Sequence, residues 1–542
     1  MQLSSTPRFS LALERRTLIV CLITQFMTAS NKNALTWFAL FIFQFALTAA
    51  LSAQEVRVVE KTLTNGMTLL MVERHDAPSV AGGWVAHVGS ANESPGITGI
   101  AHLFEHMMFK GTTTIGTTDY QKDQEILAQQ EKIRDAMRAE ESKMRAAWRH
   151  GDVNDWQKPE SWTPHYRELQ KQFQELVLEE RKVIVKNELW KIYGANGGNG
   201  MNAFTMDDMT AFHVGVPANK LELWMWLESE RIFHPVFREF YAERDVVFEE
   251  RRMRYDSTPL GPSSQAFNAM FWQSLPYSWP TIGWPSDISS ISKPQADAFH
   301  AMFYSPQNIT LILVGDFDSD KVAAMAEKYF GRIPRAKNNP PDLVTTEMNQ
   351  SVEKRMNAEV AANPQVDIMW HTVPFAHKDS YALQILAQLL STHTGRLYKG
   401  LVLGSGVATD ISASQNSQKW AGWFDISGEA ADGHTPDEVE KGIYAELDKL
   451  KHDPVPPEEL QKVKNNIAAE QYRQLNSNLN ILQNLIFNDG EGDWREINAA
   501  QPKLEAVTAA DVMRVANEYF KKDNRAVAIF TRKPETAPAE SK

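Results

Sequence analysis

The sequence predicts an α+β protein of two homologous domains, each a mainly antiparallel sheet packed by helices, with a long helical hairpin inserted in the first. Three observations lead there. The chain has 542 residues, too many for one ordinary core. Strand-like and helical stretches alternate, yet hairpin turns rather than uniform crossovers join several of the strands. One plan also occurs twice. Ile291 to Phe317 runs as helix, aromatic, asparagine and strand, and Val507 to Lys533 runs the same way.

The chain divides accordingly. Residues 1–53 read as a leader, 54–330 as a first domain with an insertion at about 119–191, and 331–349 as a linker marked by Pro334, Pro340 and Pro341. Residues 350–535 read as the second, homologous domain and 536–542 as a tail. Leu35 to Leu51 is an apolar run preceded by Lys32, with small residues at Ala49, Ala50 and Ala53. This pattern predicts an export signal cut near Ala53–Gln54, and hence a periplasmic or secreted protein. The alternative is a membrane anchor, for which the run is short. Met27 is a candidate start as well as Met1, since Met27 to Ala53 alone makes a conventional signal. The one cysteine, Cys21, lies in this leader, so the mature chain has neither a disulfide framework nor a cysteine metal ligand.

Within the first domain, Thr62 to Glu73 reads as a hairpin arm turning at Asn65-Gly66. Ser79 to Val88 is a second strand, and Gly89 to Thr98 a polar loop. A helix follows from about Gly99 to before Gly111. The stretch from Asp119 to Lys191 is rich in Glu, Gln, Lys, Arg and Ala, with Ile126, Ile133, Met137 and Met144 at roughly helical spacing. A break at Gly151 to Pro164 makes it two antiparallel helices, the second from Tyr166 to Ile192, and it reads as a solvated spacer. Met201 to Val216 alternates as strand and turn. Leu221 to Phe237 and Tyr241 to Tyr255 are helices.

The chemistry is concentrated in Gly-Ile-Ala-His-Leu-Phe-Glu-His-Met-Met-Phe-Lys-Gly-Thr, residues 99–112. On a helix, His102, Glu105 and His106 share one face. Two imidazoles one turn apart can hold a single metal ion, and the carboxylate beside them can reach a water on it. This H-x-x-E-H order is that of a zinc hydrolase. Such a site needs a third protein ligand and an open fourth position. Glu243 and Glu250 are two helical turns apart on one face, so one can bind metal while the other supports a ligating histidine. His371, His377 and His393 lack any matching carboxylate pattern and read as structural or surface groups. The net charge of −12 argues against a nucleic-acid partner, which needs a basic face.

The chain resembles the inverzincin metallopeptidases that include pitrilysin, insulin-degrading enzyme and mitochondrial processing peptidase. The resemblance rests on His102 to His106 with the Phe-Lys-Gly-Thr that follows, on Gly197-Gly198 with Asn202-Ala203-Phe204-Thr205, and on Glu243 to Glu250. It covers nearly all of the mature chain and implies the family's repeat fold. It implies one zinc ion per chain on His102, His106 and Glu250, with Glu105 as general base and Glu243 as the supporting acid. Asn202 and Ala203 would lie on the edge strand that pairs with a peptide substrate, with Phe204 near the cleaved bond.

The sequence departs from the family in two places. Far more residues separate His106 from Glu250 than members need, and the helical insertion accounts for the excess. Its place in the chain suggests a role in substrate access. Active members also draw an Arg and a Tyr from a C-terminal domain, whereas Val402 and Thr409 stand at those positions here, with Arg396 and Tyr398 out of register. The expectation is a related, zinc-lacking subunit that supplies the pair as a heterodimer; a homodimer is the alternative. The function expected is hydrolysis of small or unfolded peptides inside a chamber. Its competitors are a non-catalytic scaffold subunit and a processing peptidase for a specific precursor.

Overall fold

The computed structural model describes residues 55–534. The leader, its cleavage site and the tail from residue 536 lie outside them. The first half begins with β1 (Val59–Thr62) and β2 (Thr68–Glu73), an antiparallel hairpin. Its turn carries Gly66 at φ +90°, a conformation that favours glycine. Next come β3 (Ser79–Ala86), α1 (Ile100–Met107), α2 (Tyr120–His150), α3 (Pro164–Glu180) and α4 (Glu188–Ala195). The hairpin β4 (Asn199–Thr205) and β5 (Thr210–Pro217) precedes α5 (Leu221–Phe233) and α6 (Phe240–Arg251). Three helices, α7 (Gly261–Phe271), α8 (Pro285–Ile288) and α9 (Lys293–Phe303), lead into β6 (Ile309–Gly315) and α10 (Ser319–Tyr329).

The second half contains β7 (Lys354–Val360), β8 (Gln365–Thr372), α11 (Ser380–Ser391), β9 (Ala408–Ser417) and β10 (Gly422–Ala430). Helices α12 (Pro436–His452), α13 (Pro457–Gln474), α14 (Asn478–Glu491), α15 (Glu496–Ala506) and α16 (Ala509–Tyr519) follow, and β11 (Arg525–Arg532) closes it.

The strand orders, β1-β2-β6-β3-β5-β4 and β7-β11-β8-β10-β9, expose the duplication. With β1 set aside, each sheet places its first strand beside its last, then its second, fourth and third. In each, the first and last strands run parallel and every other pair is antiparallel. The repeated segments seen in the sequence, α9 with β6 and α16 with β11, occupy equivalent places. The architecture is the α+β arrangement of two mainly antiparallel sheets that the patterning predicts.

One helix ties the halves together. The apolar side of α14, with Ile481, Leu482, Leu485 and Ile486, packs on Leu70, Val85, Ala211 and Ile312 of the first sheet. The opposite face of that sheet packs against α1, α5 and α9 around Trp84, Phe104, Phe212 and Trp224. The central strand β6 is therefore buried along its whole length, as expected when both faces are covered. The described residues from Val56 onward form one compact unit.

Three boundaries differ from the sequence expectation. The second helix of the insertion ends at Glu180, not Ile192. Val183 to Val185 turns back along the loop after α1, with Thr117 bridging Ile184, and Asn187 takes φ 55° before α4 begins. Helix α5 ends at Phe233 instead of Phe237, because Pro235 follows and bridges Thr112. Helix α6 ends at Arg251, and Arg252–Asp256 continues as a wider π-type turn.

The insertion is also more than a solvated spacer. Met137, Met144, Tyr166, Leu169 and Phe173 join the main core. Arg138 donates to Tyr241 Oη on α6 at 3.3 Å, Arg134 lies over the Tyr241 ring at 4.8 Å, and Phe173 meets that ring edge-on at 5.5 Å. The hairpin braces α6.

Candidate metal centre

Helix α1 is placed by its N-terminus. Gly99 precedes it at φ +91°, and a Cβ there would come within 2.4 Å of the Ile282 carbonyl oxygen. The Glu93 carboxylate accepts from the backbone N–H groups of Gly99 and Ala101, both at 2.8 Å. These are free donors of the first turn, at the positive end of the helix dipole. Burial nevertheless pushes the Glu93 pKa well up, against those hydrogen bonds. Beneath, Ile100, Leu103, Phe104 and Met107 enter the core and leave the other face of α1 to the motif.

The second wall is α6. Its N-terminal flank is fixed by Arg238, which is buried and donates to Asp123 Oδ2 at 2.7 Å and to the Thr112 and Ile115 carbonyls at 2.7 and 3.0 Å. Glu180 of the insertion accepts from the Glu239 backbone N–H at 2.9 Å. Glu243 and Glu250 then project from one face of α6 toward α1.

His102, His106 and Glu250 converge. One donor atom from each lies within 4.8 Å of the other two, and no other such group occurs among the described residues. His102 Nε2 is 3.9 Å and His106 Nε2 3.4 Å from the Glu250 carboxylate oxygens. Zinc at about 2.0–2.1 Å from each donor sets ligand atoms roughly 3.3 Å apart in a tetrahedron, so this constellation fits the ion with small adjustment. Two imidazole nitrogens and one carboxylate oxygen are also a donor set suited to zinc. His106 Nδ1 lies 3.0 Å from Glu243 Oε1, which fixes the ring and turns Nε2 toward the centre. Glu243 is shared with Lys110, whose Nζ lies 2.5 Å from Oε2. Arg254, on the turn after α6, approaches Glu250 Oε1 at 3.0 Å.

The electrostatics separate the histidines. Burial lowers the His102 pKa to about 4, with the neighbouring His106 adding to the effect. His106 is raised to about 9; burial opposes its charge, but the hydrogen bonds to Glu243 and Glu250 prevail. To hold a cation at this centre, both rings would have to be neutral. Glu105 is raised above its ordinary value by burial, against a 2.7 Å hydrogen bond from Thr205 Oγ1. A carboxylate so placed is a stronger base than one in water.

Strand β4 is the outer edge of the first sheet. Thr205 touches Glu105, and Ala203 pairs with Phe212 on the α1 side of the sheet. Asn202 and Phe204 point to the opposite face, opposite His213 and Ala211. Phe204 stacks there on Phe487 of α14. In the second half, Arg396 is held by Glu459 at 2.7 Å, and Thr409 donates to Glu429 at 2.9 Å. Of the residues that matter here, Thr205 and Lys110 sit inside the sequence motifs without an obvious role. Glu93, Arg254 and Phe487 carry no sequence signal at all, since each acts through a contact made only on folding.

Two family profiles match the chain. One described as "Insulinase (Peptidase family M16)" covers residues 68–142, and one described as "Peptidase M16 inactive domain" covers residues 290–467. The zinc protease PqqE of Helicobacter pylori is 26% identical over 86% of this chain and 91% of its own length. The crystal structure of a protease from the same bacterium matches 88% of this chain and 100% of its own, with a TM-score of 0.71 at 23% identity. The periplasmic protease PqqL from Escherichia coli matches 89% of this chain and 48% of its own, with a TM-score of 0.62 at 17% identity.

Proposed function

We propose that this chain is a member of the insulinase, or M16, family of peptidases, and that within it this protein is a zinc-dependent endopeptidase acting on small or unfolded peptides. The observation that carries the reading is the convergence of His102, His106 and Glu250 beside Glu105. The residues that would hold zinc are those three, one ion per chain. A zinc ion bound there supplies Lewis acidity and brings the pKa of a coordinated water toward neutrality.

The chain's own residues do the rest. The open edge of β4 receives an extended peptide by main-chain hydrogen bonds, which ask little of its sequence. Glu105 takes the proton of the attacking water and returns it to the leaving amine. Thr205 keeps the Glu105 carboxylate turned toward the strand along which the peptide lies. Glu243 and Lys110 hold His106 in its ligating orientation.

The scaffold-only reading has less support, because the segment matching the inactive-domain profile excludes every proposed ligand. The proposal includes a related, zinc-lacking partner that supplies the missing Arg and Tyr. Arg396 is engaged by Glu459, which leaves the second half of this chain without an obvious substitute. The name of the Escherichia coli relative supports a periplasmic setting. The test is metal analysis of purified protein with hydrolysis of quenched fluorescent peptides. Zinc near one per chain and turnover lost to chelator support the proposal; metal-free protein with no turnover, alone or with its native partner, rejects it.

A further inference from the structure

The insertion encloses a space that the metal centre does not use. The segment 181–189, which follows α3, runs back along the loop between α1 and α2. Val185 donates to the Gly116 carbonyl at 3.0 Å, and the Gly116 N–H donates to Glu188 Oε2 at 2.5 Å. The first turns of α6 stand opposite. Between these walls lies a cavity of about 290 Å³, partly open to solvent. That is room for a small molecule. Two of the three non-glycine residues with left-handed backbone among the described residues border it, Asn187 at φ 55° and Glu239 at φ 53°. Such strained positions persist where the surrounding fold holds them, and they gather at ligand clamps.

The lining sets the chemistry of an occupant. Ile115, Ile184, Val185, Leu189 and Val246 give the cavity apolar walls. Each acid in the lining is already engaged. Glu188 accepts from Gly116, Glu243 is shared by His106 and Lys110, and Glu239 faces Lys110 at 3.6 Å. Among the cations, Arg238 is paired with Asp123. Arg181 and Lys186 are exposed at the rim and have no ion-pair partner among the described residues. The unspent charge is therefore positive, beside apolar walls. Lys110 connects the cavity to the centre, since its Nζ lies 2.5 Å from Glu243 Oε2 while Oε1 faces His106.

We propose that this cavity binds a small amphipathic carboxylate, its charged end on the cations of the lining and its aliphatic body against the apolar walls, and that occupancy weakens metal binding at the centre. The carboxylate competes with Glu243 for Lys110, and Glu243 then holds the His106 ring less firmly. Coupling of this kind is reciprocal, so zinc weakens the acid by the factor by which the acid weakens zinc. The coupling rests on the metal-centre reading; the binding does not. The free acid end of a cleaved peptide and a short fatty acid share this chemistry, and the first would make the cavity a product sensor. The cavity exists because the insertion returns along the loop after α1.

The experiment uses full-length protein, zinc-loaded and zinc-free, in titration calorimetry. The probes are N-acetyl-leucine, hexanoate and the uncharged N-acetyl-leucine amide. A dissociation constant of about 1 mM or tighter is expected for at least one acid, and no binding for the amide. Arg181→Ala and Lys186→Ala together should weaken the acid about tenfold or more. Ala242→Leu narrows the cavity and leaves every charge in place, and it should do the same; metal content and melting temperature control for folding. The zinc-free protein should bind the acid about fivefold tighter. Tighter binding of N-acetyl-leucine than of hexanoate assigns the site to peptide ends, and the reverse assigns it to fatty acids. No binding of either acid at about 10 mM, or binding that ignores the rim and Ala242 substitutions, overturns the site. Equal affinity with and without zinc overturns the coupling. An acid bound on the zinc ion itself gives the opposite pattern, with affinity lost with the metal and kept in the rim variants, and this too overturns the site. Protein that takes up no zinc yet binds the acid through Lys186 removes the metal-centre reading alone.

Discussion

His106 Nδ1 and Glu243 Oε1 lie 3.0 Å apart, across the gap between the two helices that carry the candidate metal centre. The contact does two things at once. It fixes which imidazole nitrogen faces the centre, and it docks α6 on α1 so that Glu250, two turns further, arrives beside both histidines. Replacement of such outer partners typically costs 10–100-fold in metal affinity. Glu243→Gln should therefore weaken zinc binding by about that factor, measured by competition with a chromophoric chelator. Lys110→Ala should have a smaller effect in the same direction, since Lys110 reaches the histidine only through Glu243.

Glu105 contacts neither His106 nor Glu250 by hydrogen bond; its partner is Thr205. Glu105→Gln should keep a full complement of zinc and lose peptide turnover by a factor of roughly 10²–10⁴ or more. Zinc analysis and single-turnover assays on the same sample check both halves of this expectation. Full activity in the variant would remove Glu105 from the reaction.

Arg238 and Asp123 form a buried ion pair that joins the start of the insertion to the start of α6. Removing one member of such a pair leaves the other charge buried and costs about 3–5 kcal/mol. Arg238→Ala should lower the melting temperature by several degrees and also weaken zinc retention, because α6 loses its anchor. Calorimetry and zinc titration would detect both. Lost stability with unchanged metal affinity would show that the insertion braces the fold without tuning the site.

The turn after β4 carries Asp208, whose carboxyl accepts from Tyr277 Oη at 2.5 Å. Burial first, and then the charge of Asp207, raise its pKa from 3.8 to about 7, while Tyr277 and Lys419 oppose the rise. Glu491 on α14, with Asp208 near it, is raised to about 8, again mainly by burial. A folded-state pKa above the unfolded value means that the folded protein holds the extra proton. The associated stability is fully present below about pH 4 and is lost as pH rises through 7. Asp208→Asn should therefore raise the melting temperature at pH 8.5 by more than at pH 5. Equal shifts at the two pH values would contradict the assignment.

The sequence made His102, Glu105, His106, Glu243 and Glu250 legible because helical spacing alone puts each set on one face. The duplicated plan was legible for a similar reason, since α9–β6 and α16–β11 repeat the same local order. Three things were not. The insertion reads as a charged, solvated hairpin, because its buried side is partly polar: Gln130 donates to Glu180 on the other helix, Glu180 also accepts from the Glu239 backbone, and Arg134 pairs with Glu141 on its own helix. The crossing of α14 onto the first sheet has no local signature; an amphipathic helix shows that it packs, not on what. The alternation of β4 was visible, but the arrival of Phe487 on the face opposite α1 was not.

The account depends on one ion between α1 and α6. X-ray absorption at the zinc edge on the purified protein tests it most directly. The prediction is a first shell of two imidazoles and one carboxylate with a light-atom fourth ligand, collapsing in Glu250→Gln to two imidazoles with solvent. A zinc-free protein, or a shell unchanged by Glu250→Gln, would contradict it.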